Sequence, residues 1–505
     1  MRNCLKILFF AACCTMLAFS PALAKGDTLN VGVQAAFKTM DPHMTTDAVQ
    51  HELILQINET LVRLDKDSNV EPLLAERWEL LPDKVSYKFY LKKGVTFHNG
   101  DAMTADDVVY SFTRALGPTA GAIKVFSSVV ASVEKVDDYT VILKAARPMG
   151  EPFLLSLGHP WASILSAKAT EAAGKDYGQN PMGTGRFKFN NWVVGSSVTL
   201  DRFDGYHAEK AKLKTVIFRT IVESSSRTIE LESGAVDMIF DAPPTDISRM
   251  KDNPRLTVVS VPSCRLYYIG FDVTKAPYDN PKVRQAINLA INREGLAKIV
   301  FRGFAEPARG PVTSAIRYNK YDAVPPIKQN IAKAKELLKE AGFPDGFKGS
   351  FVIADRSDHT GLSTILQANL KEIGVDMKIE TIEWGAFLDV IRQKGHEPFL
   401  QNWWGAAPAM DPYFLMAPFH STAIGGSNRM FFKNKEVDDL LDLGMTLMNG
   451  PERQEVYGKV WDILNDQLPW INMVQMQQLY AHDKTLKGID YAPSFLNYLG
   501  NAYFE

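Results

Sequence analysis

The sequence predicts an α/β protein built as two lobes joined closely rather than by a tether, and three observations lead there. Stretches with strand-like alternation recur along the chain, between stretches with helical spacing. In the second half, "GSFVIAD" and "GVDMKIETIEW" flank the helical "LSTILQANLKEIG", the strand–helix–strand order of a parallel unit. At 505 residues the chain has room for more than one domain, yet no repeat, low-complexity tract or flexible linker separates them.

The elements follow in order. In MRNCLKILFFAACCTMLAFSPALA, Arg2 and Lys6 precede an apolar run from Ile7 to Phe19, and Ala22-Leu23-Ala24 supplies small residues for cleavage. This predicts a secretory signal over residues 1–24, too short to cross a bilayer as a helix. The residues ahead of Cys13 and Cys14 make a poor lipidation site. Cys4, Cys13 and Cys14 leave with the signal, so Cys264 stays alone and no intrachain disulfide forms. Losing two positive charges moves the formal charge from −2 to −4, a near-neutral balance that argues against nucleic acid as a partner. No later apolar run is long enough for a membrane span.

"DTLNVGVQAAFKTMDPH" opens as a strand and ends at the Asp41-Pro42 turn. In "VSYKFYLKKGVTFHNG", Val85, Tyr87, Phe89 and Leu91 alternate with polar neighbours, a half-buried strand closed by Asn99-Gly100. Thr104 and Asp107 form a capping box ahead of a helix. Further strands are read at "DYTVILKAA", "SSVTLDRF" and "KTVIFRTIVE". Asn280 and Pro281 start one helix, and "IAKAKELLKEAGFPDG" is another, stopped by Gly342 and Pro344. "QNWWGAAPAMDPYFLMAPFH", residues 401–420, has three prolines and no period; it reads as an ordered loop carrying five aromatics.

Nine histidines show no zinc spacing, and there is no nucleophile elbow or phosphate-binding loop. "PMGTGRF" lacks the third glycine of a dinucleotide fingerprint and reads as a tight turn. The absence of these motifs lowers the odds of an enzyme without disproving one, and neither a cofactor nor a metal is expected. An exported hydrolase and a chaperone-like binder of unfolded segments are the alternatives from other classes.

"EPLLAERWELLPDKVSYKFYLKKGVTFHNGDAMTADDVVYSFTRAL" resembles the signature region of the family-5 extracellular solute-binding proteins, the receptors of peptide, nickel and related ABC importers. "NPMGTGRFKFNNW", "LDRFDGYH", "YDNPKVRQAINLAINREGL", "AKAKELLKEAGFPDGF" and "LPWINMVQMQQLYAHDKTLKGI" resemble further blocks in the same order. "LGHPWASILSAKA" is similar to the glutathione- and dipeptide-binding branch. The resemblance implies the class II (cluster C) periplasmic binding fold, with a hinge between the lobes. Lobe 1 would span 25–272 plus 486–505, with an inserted subdomain at about 65–182, and lobe 2 would span 273–485. It also implies a periplasmic monomer that encloses a short peptide and docks on an inner-membrane permease with its ATPases. A nickel or other metal chelate is the alternative ligand. Where dipeptide receptors carry an aspartate for the peptide amine, this chain has Ala406 and Ala407.

The candidate ligand-binding residues are Trp403, Trp404, Asn402, Asp411, Tyr413, Arg265, Tyr267, His43 and His420. Trp403, Trp404 and Tyr413 are expected to wall an apolar site, one of the two tryptophans facing in and the other packing. Asn402 and Asp411 would orient the ligand, although Asp411 also reads as an Asp-Pro turn former. Arg265 and Tyr267 share a strand face, Arg265 reading either as a carboxylate partner or as half of a surface ion pair. His43 follows Asp41-Pro42 and resembles a cleft-facing position; His420 reads as a ligand contact or as a satisfied structural histidine.

Overall fold

The computed structural model describes residues 26–118, 127–403, 409–494 and 496–505. Its frame is an eleven-stranded sheet. From one edge the order is Asp376–Ile382, Lys348–Ala354, Phe399–Trp403, Leu256–Gly270, Trp470–Asp483, Met238–Ile239, Thr28–Val33, Thr215–Thr220, Ser197–Arg202 and Phe187–Val193; Ala305–Pro307 pairs with Trp470–Asp483 off this path. The two longest strands, Leu256–Gly270 and Trp470–Asp483, lie antiparallel at the centre and supply two cores, Val259, Val261 and Tyr480 packing in one and Tyr267, Ile269 and Ile471 in another. Their lobe 1 halves pair from Leu256↔Asp483 to Pro262↔Gln477, and their lobe 2 halves from Leu266↔Gln475 to Gly270↔Trp470. The register shifts between Pro262 and Leu266 and again between Tyr267 and Tyr268. Extra residues of this kind bend a strand and sharpen its twist, so the ladder changes direction where it passes from one lobe to the other.

Each lobe has its own core. In lobe 1, Leu29, Val31, Val216 and Phe218 are buried with Leu53 and Ile57 of the helix Ala48–Ile57. In lobe 2 the period-two rule splits one sheet between two cores. Tyr267, Ile269 and Leu400 face one, and Leu266, Tyr268 and Phe399 the other. The parallel pairing of Lys348–Ala354 with Asp376–Ile382, across the helix Ser357–Lys371, is the unit the sequence predicts.

Residues 75–145 build a separate antiparallel sheet, Ala75–Leu80, Ser86–Leu91, Thr140–Ala145 and Val130–Asp137 in that order. Tyr87, Phe89 and Leu91 are its buried face, as their alternation predicts. The helix Ala105–Ala115 starts at Thr104 with both halves of the capping box formed. This insert also touches lobe 2: Gly150 N donates to Met445 O at 2.9 Å and Glu151 N to Leu447 O at 3.0 Å.

The 401–420 segment is not one loop. Its first residues finish the strand Phe399–Trp403, and Pro412–Leu415 and Met416–Phe419 are short helical turns. The strand pairs on both sides and buries Phe399, Leu400, Gln401 and Asn402, so it carries no polar alternation for a sequence pattern to detect.

Candidate functional site

In open α/β sheets, ligands sit beyond the C-terminal ends of the parallel strands. In lobe 1, Thr28–Val33 is parallel to Thr215–Thr220 and Met238–Ile239, and Met238–Ile239 runs antiparallel to the Ala481–His482 stretch. These strands therefore point along the shared ladder toward Gln478. In lobe 2, Phe399–Trp403 pairs from Gly270↔Phe399 to Leu266↔Trp403, so it points toward Arg265 from the opposite side. The strand ends of both lobes converge on the register break, and the residues gathered there form the candidate site.

Arg265 lies in the break. Its Nη2 donates to Asp241 Oδ1 at 3.0 Å and to Gln478 Oε1. Asp241 lies two residues past the strand end at Ile239. Two residues on, the Tyr267 hydroxyl donates to Asp358 Oδ2 at 2.6 Å. Asp358 accepts in addition from Arg356 Nε and Nη2, each at 3.1 Å, and the Arg356 guanidinium lies 5.8 Å from the Trp384 ring centroid. Burial alone would raise the Asp358 carboxyl, but the hydrogen bonds from Arg356 and Tyr267 outweigh it and hold the group below its usual range. Asn402 is the cross-strand partner of Tyr267 and shares its face. The result is a polar strip crossing from lobe 1 to lobe 2: Asp241, Arg265, Gln478, Tyr267, Asn402, Asp358 and Arg356, with Trp384 39 % exposed at its end. Two guanidiniums flank Tyr267, suited to anionic groups, and carboxylates lie beside both, suited to a cationic one.

The remaining predicted residues lie elsewhere. Asp411 is fully buried: Arg453 Nη1 and Nη2 donate to its two oxygens at 2.5 and 2.7 Å, and Oδ1 also takes the Tyr413 amide. Both oxygens are committed, so Asp411 is the turn former and a buried ion-pair partner rather than a ligand-orienting group. Tyr413 packs between the insert core and a lobe 2 core, with a side-chain hydrogen bond to Ser156, and is no exposed wall. His43 is buried, not cleft-facing. Arg114 Nη1 donates to its Nδ1 at 2.9 Å while also gripping Asp41, and burial pushes the ring down to about 4. His420 caps a turn through Thr422, 2.7 Å from its Nδ1, and is also buried. Trp404 and the side chain of Trp403 lie outside the described residues; the Trp403 backbone pairs with Leu266.

Arg356, Asp358, Trp384 and Asp241 were missed in the sequence. A signal for them exists, since "ADRSD" and "IEW" directly follow the two parallel strands that the sequence predicts. Lobe 1 holds a separate cavity of about 340 Å³, lined by Glu59, Arg186, Tyr206 and Tyr498 among others. No residue of the strip lines it.

Residues 69–426 match the family described as "Bacterial extracellular solute-binding proteins, family 5 Middle". The chain belongs to the family-5 solute-binding proteins. The glutathione-binding protein GsiB of Salmonella typhimurium is 32 % identical over 487 residues, covering 94 % of this chain and 93 % of that one. Among solved structures, this family-5 chain superposes on HbpA2 of Haemophilus parasuis with a TM-score of 0.88, at 28 % identity over 95 % of this chain and all of that one. DppA of Helicobacter pylori, in complex with the peptide STSA, gives 0.76 at 30 % identity, covering 95 % and 99 %. The two-lobed periplasmic binding fold is thereby established for the family-5 chain.

Proposed function

We propose that this protein is the periplasmic receptor of an ABC importer, and that it captures a short peptide, glutathione-like or a di- to oligopeptide, between its lobes. The observation that supports this reading is the strip itself: arginines and carboxylates alternate where the strand ends of both lobes meet. A zwitterion needs such a mixed surface, its carboxylates on Arg356 and Arg265 and its amine on Asp241 or Asp358. Neighbours named for glutathione and for a bound peptide agree with that chemistry. Trp384 supplies flat contact area. The ligand bridges the lobes, and closure is favoured only by contacts made in the closed state. Moving a mostly open population to a mostly closed one takes a differential of roughly 5.5 kcal/mol. The ligand is released unaltered to the permease, whose ATPases drive transport, and the receptor acts as a monomer.

Titration calorimetry with glutathione and a dipeptide series tests the reading. Arg356→Ala removes a charge-assisted hydrogen bond worth about 1.5–3 kcal/mol, so affinity falls by about 10- to 100-fold at an unchanged melting temperature. Wild-type affinity in that variant would take Arg356 out of the site. Mass spectrometry of ligand released from the purified protein identifies the natural occupant.

A further inference from the structure

The strand crossing is not the only place where lobe 2 meets the rest of the chain. At the insert, Gly150 N and Glu151 N donate to the Met445 and Leu447 carbonyls, the kind of backbone pairing found within a sheet. The approach is so close that a Cβ on Gly150 would overlap the Leu447 carbonyl. Above this pair, Arg317 of lobe 2 reaches into the insert. Its Nη2 donates to Ser68 O at 2.7 Å, Asn69 Oδ1 at 3.1 Å and Asp67 O at 3.2 Å, and its Nη1 lies 3.9 Å from Glu151 Oε1. Glu151 also accepts from Asn449 N. Apolar side chains complete the junction: Met445 of lobe 2 is buried in the insert's own core, and Tyr413 and Met416 pack against it.

We infer that this junction is a second bearing for lobe closure, with Arg317 and Glu151 as positioning residues for ligand capture. The inference rests on the proposed clamp between the lobes. Two bodies attached at one flexible crossing can rotate and twist in several directions. Attached also at a second, separated point, they keep one rotation, about the line joining the two attachments. The strand break supplies the first point and the insert the second. Asp241 and Arg265 on one side of the break, and Tyr267, Asp358 and Arg356, already bonded to one another on the other side, then approach along a single path. The ligand does not select one orientation of the lobes from many, so a larger fraction of the empty receptor is competent to close. This gives the insert a role that the polar strip, which contains none of its residues, leaves open.

Small-angle X-ray scattering of the ligand-free protein and stopped-flow binding of glutathione test the inference together. Arg317→Ala is expected to melt as wild type does. Its scattering profile should broaden toward larger distances, and its association rate for glutathione should fall by about 5- to 20-fold with little change in dissociation. Arg317→Lys, which keeps a donor for Ser68 O, should restore most of the rate. A wild-type profile and association rate in Arg317→Ala overturn the bearing. So does a loss confined to the dissociation rate, which marks the contact as a latch made on closure. If Arg317→Ala does not fold, Asn69→Ala carries the same two expectations at smaller size. Should wild type fail to bind glutathione while the profiles of the two proteins differ, the ligand reading falls and the bearing stands.

Discussion

Asp411 and Arg356 show how little a residue's type reveals about its use. Asp411 is the single formal charge in the aromatic 401–420 run, which makes it conspicuous in the sequence. In the fold it is fully buried against Arg453, whose guanidinium also donates to Gly444 O and lies 5.0 Å from the Tyr457 ring centroid. Burial alone would lower the Arg453 pKa; the Asp411 carboxylate outweighs it and raises the pKa above the usual value. Asp411→Asn leaves a buried guanidinium without its counter-charge, a change that costs about 3–5 kcal/mol in comparable pairs. The denaturant midpoint should fall accordingly, while the folded fraction keeps wild-type ligand affinity. Intact stability with lost affinity would return Asp411 to the ligand. Arg265 and Tyr267 were legible because strand alternation places them on one face, and the structure keeps both at the crossing. Arg356 was not, because its place beside the crossing comes from where a strand ends, which is a property of the assembled sheet.

At the level of elements, the segments with strong local chemistry were readable. These include the alternating strand Ser86–Leu91, the capped helices at Ala105 and Pro281, and the parallel unit from Lys348 to Ile382. "PMGTGRF" reads as a turn, and in the fold its glycines serve a further need. Neither Gly183 nor Gly185 has a left-handed backbone; a Cβ on either would overlap carbonyl oxygens at the end of the helix Ala48–Ile57. Gly185 N donates to Ile57 O at 2.9 Å, and His98 N donates to Gly183 O at 3.0 Å, fastening the loop between that helix and the insert. Gly183→Ala forces this contact apart. It should destabilise the protein by about 1–3 kcal/mol, as overpacking does elsewhere, read as a lower denaturant midpoint at unchanged slope. A midpoint equal to wild type would show that the loop can withdraw freely. The close approach joins residues more than a hundred positions apart, which is why local pattern suggested only a turn.

For the whole molecule, the same burial that closes the cores sets a response to acid. Six of the nine histidines have depressed pKa values, and burial is the leading cause in each. His43, His51, His98 and His359 are pushed down to about 4, and His159 well below its usual value. An unfolded chain protonates these rings near pH 6.5, the folded one only near pH 4. Between those values unfolding takes up protons, so stability falls as the medium is acidified from about 6.5 toward 4. Burial raises the carboxyls of Glu52, Glu151 and Asp107, which lose stability in the opposite direction, as pH rises past the ordinary carboxylate range. Six histidines stand against three carboxyls, so the expected net trend follows the histidines. Denaturant unfolding at pH 7, 6 and 5 should show the midpoint dropping at each step. His359 is the cleanest probe: it is fully buried, neither ring nitrogen has a hydrogen-bond partner among the described residues, and it packs on Phe387. His359→Leu should flatten the slope by about one proton, since it removes one ring that only the unfolded chain can charge. A midpoint constant from pH 7 to pH 5 in wild type would mean that these rings accept protons in place, and that the lobes are looser inside than their packing implies.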